Sequence, residues 1–134
     1  MFKINYDVDI GGCNGQGWIR CNYESLELAF GVPQEADEFK VSGQWAFENK
    51  NGEIIILYDW KATNLYDARL PTISAFRARE SYPFHIGAKQ PLCSNDEDYR
   101  CTKCLIQSFI TWMKDSEFIR MTEEDQVGYS TYYV

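Results

Sequence analysis

The side chains best suited to nucleophilic or metal chemistry in this sequence are five cysteines and one histidine. Cys101 and Cys104 have the C-x-x-C spacing of zinc and redox sites. However, seven residues separate Cys13 from Cys21 and Cys93 from Cys101, where structural zinc sites usually use about two to four. Acidic residues at 96–98 also disfavour a reactive thiolate. We therefore expect reduced, buried or half-buried thiols and no bound metal.

His85 is the only histidine, so any Ser-His or Cys-His mechanism would have to use it. It lies between Phe84 and Ile86, and no nucleophile-elbow motif is nearby. Asp59 and Asp67 could in principle perform acid–base chemistry, but 20 acidic residues make such pairs common. No motif identifies a reaction, and we predict a protein without catalytic residues or a cofactor.

A basic and aromatic stretch covers residues 60–90, where five basic residues stand against two acidic ones. Guanidinium groups that alternate with aromatic rings suit a phosphate-bearing ligand whose base stacks on Trp60 or Tyr66. The candidate ligand-binding residues are Lys61, Arg69, Arg77, Arg79 and His85. The alternative is a solvated loop whose arginines pair with the acidic half of the same protein.

Acidic segments at residues 35–38, 96–98 and 123–125 contribute to a net charge of -7, which disfavours generic binding to nucleic acid. Solvation and helix capping explain each segment singly, but an acidic surface can also occupy the cationic nucleic-acid channel of another protein. Aromatic anchors would supply affinity. The candidate protein-binding residues are Glu35, Asp37, Glu38, Trp45, Tyr58, Trp60 and Tyr66.

Hydrophobic periodicity predicts the elements that must position these residues. In the first half we expect an N-terminal hairpin, made of a strand at 2–10, a glycine-rich turn at 11–17 and a strand at 18–21. A helix at 24–30 and a hairpin of 41–47 with 53–61 follow. In the second half we expect an ordered loop with one helical turn at 62–81, a strand at 82–89, a helix at 96–114 and an edge strand at 117–121.

These elements predict an α+β fold in which an antiparallel sheet of about four to six strands packs against one short and one long helix. The 134 residues suit a single domain, which we place at 1–121, followed by an acidic, tyrosine-rich C-terminal tail at 122–134 that is mobile or bound to a partner. The longest apolar run, at 54–58, is far short of the roughly 20 residues that cross a bilayer, and the N-terminus lacks a signal peptide. We expect no contact with a membrane.

Three segments resemble a pattern found in small, mostly uncharacterised proteins of phages and large DNA viruses: KVSxxW in Lys40–Phe47, YDWKxTxLYD in Leu57–Asp67, and HIG in Phe84–Gly87. The resemblance covers roughly residues 26–89. It implies an accessory viral product in the cytoplasm of the host cell that disables host defence by binding a protein or a signalling nucleotide. In addition, the helix ending at Phe30–Pro33 and the tryptophan-bearing hairpin after it are similar to the helix-plus-hairpin unit of beta-lactamase-inhibitor-like domains, which bind proteins.

Two hypotheses follow from the residues and the resemblance together. The first is a non-enzymatic inhibitor of a host defence system, such as an RNA-guided CRISPR-Cas nuclease, that acts by direct protein binding and does not itself contact nucleic acid. The second is a sponge that binds a phosphate-bearing nucleotide signal through the loop at 60–90. The aromatic surface would also suit a homodimer, and the sequence leaves the oligomeric state open.

Overall fold

The structure is a computed structural model that describes residues 2–10, 13–35, 40–79, 82–89, 102–116 and 127–129. It contains the strands β1 (Phe2–Ile4), β2 (Cys13–Cys21), β3 (Gln44–Asn49), β4 (Ile54–Tyr58), β5 (Tyr82–Lys89) and β6 (Val127–Tyr129), and the helices α1 (Tyr23–Phe30), α2 (Ile73–Arg77) and α3 (Thr102–Asp115). The strands form one sheet in the order β1-β3-β4-β5-β2-β6, and every neighbouring pair is antiparallel. The predicted α+β fold is confirmed.

The hairpin of β3 and β4 matches its prediction closely. Its turn is held by Asn49, whose side-chain oxygen accepts hydrogen bonds from the backbone N–H groups of Asn51 and Glu53, at 3.0 and 2.9 Å. Gly52 adopts a φ of 78°, which glycine tolerates because it has no Cβ. The turn chemistry in the sequence therefore fixes the register, with Trp45 opposite Leu57.

The predicted N-terminal hairpin is wrong. β1 pairs with β3 and β2 pairs with β5, so three strands lie between β1 and β2 in the sheet. The described part of the predicted glycine-rich turn belongs to β2, which begins at Cys13 and carries a bulge between Gly15 and Gly17. Gly15 serves packing in this strand, since a Cβ there would lie 3.1 Å from the Tyr58 hydroxyl, and one at Gly87 of β5 would lie 3.3 Å from the Tyr58 ring.

All three helices contribute to the main core, on one face of the sheet. Leu26 of α1, Phe76 of α2 and Phe109 of α3 join one cluster with the strand residues Phe47 and Leu57. A second, smaller cluster on the other face holds the buried side chains of Val41, Ala46, Ile56 and Tyr58, covered by Tyr6, Val8 and Ile10 from the chain after β1. Both faces of β4 are therefore covered, as its run of apolar residues predicts.

The helix ends carry the expected caps. The Asn22 side chain accepts a hydrogen bond from the Ser25 N–H at 2.7 Å and begins α1, which ends at Gly31 with a φ of 85°. Thr72 caps α2, which lies within the predicted loop at 62–81. α3 is described from Thr102, and no described helix is long and apolar enough to span a membrane.

Some predictions fall on parts of the chain outside the description. These are the helix start at 96–101 and the edge strand at 117–121. Within the predicted tail, Val127–Tyr129 forms β6, which pairs with residues 17–19 of β2.

Candidate functional site

Three large apolar side chains are exposed in the chain that follows β4. Trp60, Leu65 and Tyr66 are 39%, 38% and 44% exposed. The backbone that carries them is ordered by local hydrogen bonds, from the Tyr66 N–H to the Thr63 carbonyl at 3.0 Å and from the Asn64 N–H to the Pro71 carbonyl at 2.8 Å. An exposed apolar patch on a fixed loop is typical of a binding surface.

Two lysine ammonium groups lie against the same rings. Lys61 Nζ is 5.4 Å from the centroid of the Trp60 ring and 4.9 Å from that of Tyr66, and Lys40 Nζ is 5.8 Å from the Trp60 ring. Both distances from Lys61 lie in the range of cation–π contacts. We call Lys40, Trp60, Lys61, Leu65 and Tyr66 the Trp60 surface.

The backbone of Lys61 is strained. Its φ of 53° lies in the left-handed region, and among the described residues it is the one non-glycine residue at positive φ. This conformation costs an L-residue roughly 1–2 kcal/mol. The Lys61 N–H donates a hydrogen bond of 2.6 Å to the carbonyl of Lys40, which helps to hold it. Strained residues concentrate at functional sites, so the backbone independently singles out the residue whose ammonium lies near both rings.

The residue before Trp60, Asp59, is a buried carboxylate that stabilises the backbone of the Trp60 surface. Asp59 is 3% exposed and accepts a hydrogen bond from the Ser42 N–H at 2.6 Å and a second from the Ser42 hydroxyl. Burial raises the pKa of Asp59, while the hydrogen bonds from Ser42 and the charge of Arg77 act in the opposite direction. Because Trp60 directly follows Asp59, the hydrogen bonds between Asp59 and Ser42 fix the backbone next to the exposed Trp60 ring.

Tyr58 and His85 continue the aromatic cluster inward. The Tyr58 ring meets the Trp60 ring edge to face, with centroids 6.2 Å apart, and lies 5.7 Å from the His85 ring. Tyr58 is 9% exposed, so it supports Trp60 and offers little surface of its own. Burial lowers the pKa of His85, which favours the neutral imidazole.

The arginines predicted to bind a ligand do not converge. Arg69 is exposed and pairs with Asp67, with contacts of 2.7 and 3.1 Å. Arg77 packs its guanidinium 4.7 Å from the centroid of the Tyr23 ring, on the helical face of the sheet, whereas His85 lies on the opposite face beside Tyr58. Arg79 is exposed after α2. Of the five predicted ligand residues, Lys61 is the one on the Trp60 surface.

The predicted protein-binding residues also separate. Trp60 and Tyr66 are exposed together, and Glu35 is exposed, whereas Asp37 and Glu38 lie outside the described residues. Trp45 is 1% exposed and donates its indole N–H to the Gly31 carbonyl at 2.9 Å, so its prediction as a surface contact is wrong. It faces the main core because it alternates with Ala46 along β3.

Cys13 and Cys21 cannot hold one metal ion together, because they pack against opposite faces of the sheet. Burial raises the pKa of Cys21 to about 12, which makes its thiol unreactive. Cys93, Cys101 and the Cys104 side chain lie outside the description. The part of the chain that is described contains no cluster of three or more residues of the types that bind metals.

Two members of the Trp60 surface, Lys40 and Leu65, are not among the residues that the sequence singled out. Leu65 had a weak signal, since it stands next to Tyr66 in an otherwise polar loop. Both Lys40 and Leu65 also stand in the segments that carry the resemblance, but no residue pattern predicts that Lys40 lies over Trp60, because this contact depends on pairing between distant parts of the chain. Comparison with protein-family models and with curated proteins gives no match.

Proposed function

We propose that this protein is a non-enzymatic accessory protein of a virus or phage that inhibits a host defence system by binding one of its proteins. The observation that carries the binding role is the Trp60 surface, with its exposed rings and the strained Lys61 near both of them. The viral origin and the host cytoplasm as its location rest on the resemblance of the three sequence segments.

The composition of the surface supports protein binding over catalysis. Tryptophan and tyrosine carry much of the energy of protein interfaces because they bury a large area at a small entropic cost. Trp60, Leu65 and Tyr66 provide such a cluster, with Tyr58 packed behind it. Neutral His85 lies against a tyrosine ring, which is an arrangement for packing.

An RNA-guided nuclease is a suitable target class. Such nucleases hold nucleic acid in a cationic channel, and this chain has a net charge of -7. Glu35 is exposed, and reversal of charge at Glu35, Asp37 and Glu38 tests whether acidic residues take part.

The test is a protection assay in cells that carry a defined defence system and express the full chain. We expect the wild type to restore infection and the double variant Trp60→Ala/Tyr66→Ala to lose this effect. Leu28→Ala is the matched control, since Leu28 is 82% exposed on α1 and lies outside the Trp60 surface. Equal protection by the double variant, with its fold verified by circular dichroism, would refute the proposed surface.

A nucleotide sponge is the second candidate, and one observation favours it. The Lys61 ammonium lies near two exposed rings, an arrangement in which a base could stack while the ammonium meets a phosphate. The separation of Arg69, Arg77 and His85 weakens this candidate. A nucleotide-induced thermal shift that disappears in Lys61→Gln would support it.

A further inference from the structure

Lys61, on the Trp60 surface, carries a positive charge that forms no ion pair with the described acidic residues. Asp67 pairs with Arg69, and Asp59 is buried against Ser42. Within the described residues, no carboxylate lies within 4.0 Å of Lys61 Nζ. An ammonium group has three N–H donors, and the ring faces accept no conventional hydrogen bond from them. The Lys61 donors are therefore available to an anion.

Apolar area surrounds this charge. Trp60 and Tyr66 are both partly exposed and both lie close to the ammonium, and the exposed Leu65 precedes Tyr66 in the same loop. A ligand that matches the whole surface needs an apolar side chain to cover these groups and an anionic group beside it.

From this combination we infer that the Trp60 surface binds an acidic segment of a partner protein, in which an aromatic or long aliphatic side chain packs on Trp60, Leu65 and Tyr66. A carboxylate of the segment forms an ion pair with Lys61. The inference rests on the proposed function and names the chemistry of the partner. The acidic residues predicted to bind, Glu35, Asp37 and Glu38, would require a basic partner surface, whereas Lys61 requires an acidic one.

A protein segment fits better than a nucleotide. A nucleotide triphosphate carries several negative charges and needs several cations close together. Arg69 is already paired with Asp67, and Arg77 is packed on Tyr23. Leu65 offers an aliphatic side chain on which a peptide side chain can pack. It provides no ring on which a base can stack.

The experiment is selection of a random peptide library on the immobilised full chain. We expect enriched peptides to be net acidic and to carry an aromatic or long aliphatic residue. Lys61→Gln should weaken their binding by roughly tenfold, as expected for loss of one charge-assisted hydrogen bond. Their affinity should also fall as salt rises. Lys50→Gln is the matched control, because Lys50 is exposed in the turn at the far end of the β3–β4 hairpin.

Several results would overturn the inference. These are enrichment of neutral or basic peptides, no enrichment, and equal weakening by Lys50→Gln. Binding of ATP in place of any peptide, lost in Lys61→Gln, would assign the surface to a nucleotide. Self-association that is lost in Trp60→Ala, measured by sedimentation, would assign the surface to a second copy of this chain.

The failure of the inference can be distinguished from the failure of the proposed function. Basic peptides that bind at Trp60 would contradict the acidic partner but not the role of this surface in binding a protein. Conversely, the chain could bind acidic peptides at Trp60 while its Trp60→Ala/Tyr66→Ala variant still restores infection. This pair of results would contradict only the proposed function.

Discussion

Asp59 accepts two hydrogen bonds from a single residue, Ser42, one from its backbone N–H and one from its hydroxyl. Both residues are buried, and they lie in separate segments of the chain. Lys40 stands two residues before Ser42, and Trp60 immediately follows Asp59. The contact therefore ties together the two segments whose side chains meet at the Trp60 surface.

Replacement of Ser42 by alanine should reduce the free energy of unfolding. The variant removes the hydroxyl donor and leaves a buried carboxylate oxygen of Asp59 without it, at a cost of about 1–3 kcal/mol. Urea denaturation of the full chain measures the change. Ser74→Ala, at an exposed position of α2, is the control and should change the stability little. Equal stability of Ser42→Ala and the wild type would contradict the anchoring role of this pair.

Acidification should destabilise the fold through His85. Burial lowers the pKa of this imidazole in the native state below its ordinary value of 6.5, so the unfolded chain binds a proton more readily. The contribution of His85 to stability is present above pH 6.5 and is lost as the pH falls from 6.5 through the native pKa. Urea denaturation from about pH 7 down to about pH 5 should show this loss, and His85→Gln should remove that part of the slope. An unchanged slope in His85→Gln would assign the effect to other groups.

Gly87→Ala should destabilise the protein because the sheet has no room for the added methyl group. A Cβ at this position would lie 2.7 Å from Ile56 Cγ1 and 3.3 Å from Tyr58 Cε1. Overpacking of this kind costs about 1–3 kcal/mol. Ile56→Ala removes the side chain that the added methyl group would meet. Gly87→Ala should therefore cost less stability in the Ile56→Ala background than in the wild type. A thermodynamic cycle of the two single variants and the double variant tests this coupling, and strict additivity would contradict the steric explanation.

The β3–β4 hairpin, α1 and β5 could be predicted because their signals are local. Asn49 and Gly52 set a turn, and Asn22 and Gly31 bound a helix. The partners of β1 and β2 could not be predicted in this way. Glycines normally signal a turn, but Gly15 lies in a strand, where the absence of a Cβ leaves room for the Tyr58 side chain of β4.

The site was predictable to a similar extent. Composition identified the basic and aromatic loop, and Trp60 and Tyr66 are exposed there as expected. Sequence could not distinguish Lys61, which meets both rings, from Arg77, which packs on Tyr23. The contacts of Lys61 are with rings nearby in the chain, whereas Arg77 packs on a ring of a distant segment, and no periodic pattern reports such a long-range contact.

Lys61→Gly should stabilise the fold and weaken binding at the same time. Glycine adopts the φ of 53° without the strain of a Cβ, which should raise the free energy of unfolding by about 1 kcal/mol. The same substitution removes the ammonium group that lies near the two rings. Urea denaturation and peptide affinity measured on one preparation test both effects. Lys50→Gly provides the control for loss of a lysine, and a Lys61→Gly variant that keeps full affinity would contradict the functional reason for the strain.

The most direct test of the Trp60 surface is photo-crosslinking from Leu65 in cells that carry the defence system. A photoreactive phenylalanine analogue replaces Leu65 in the full chain, and the same analogue at Leu28, which is also exposed, serves as the comparison. We expect a specific host protein to crosslink from position 65 and not from position 28, and Lys61→Gln in the same chain to reduce its yield. No crosslinked protein at position 65, or the same protein captured from position 28 alone, would contradict the assignment of this surface.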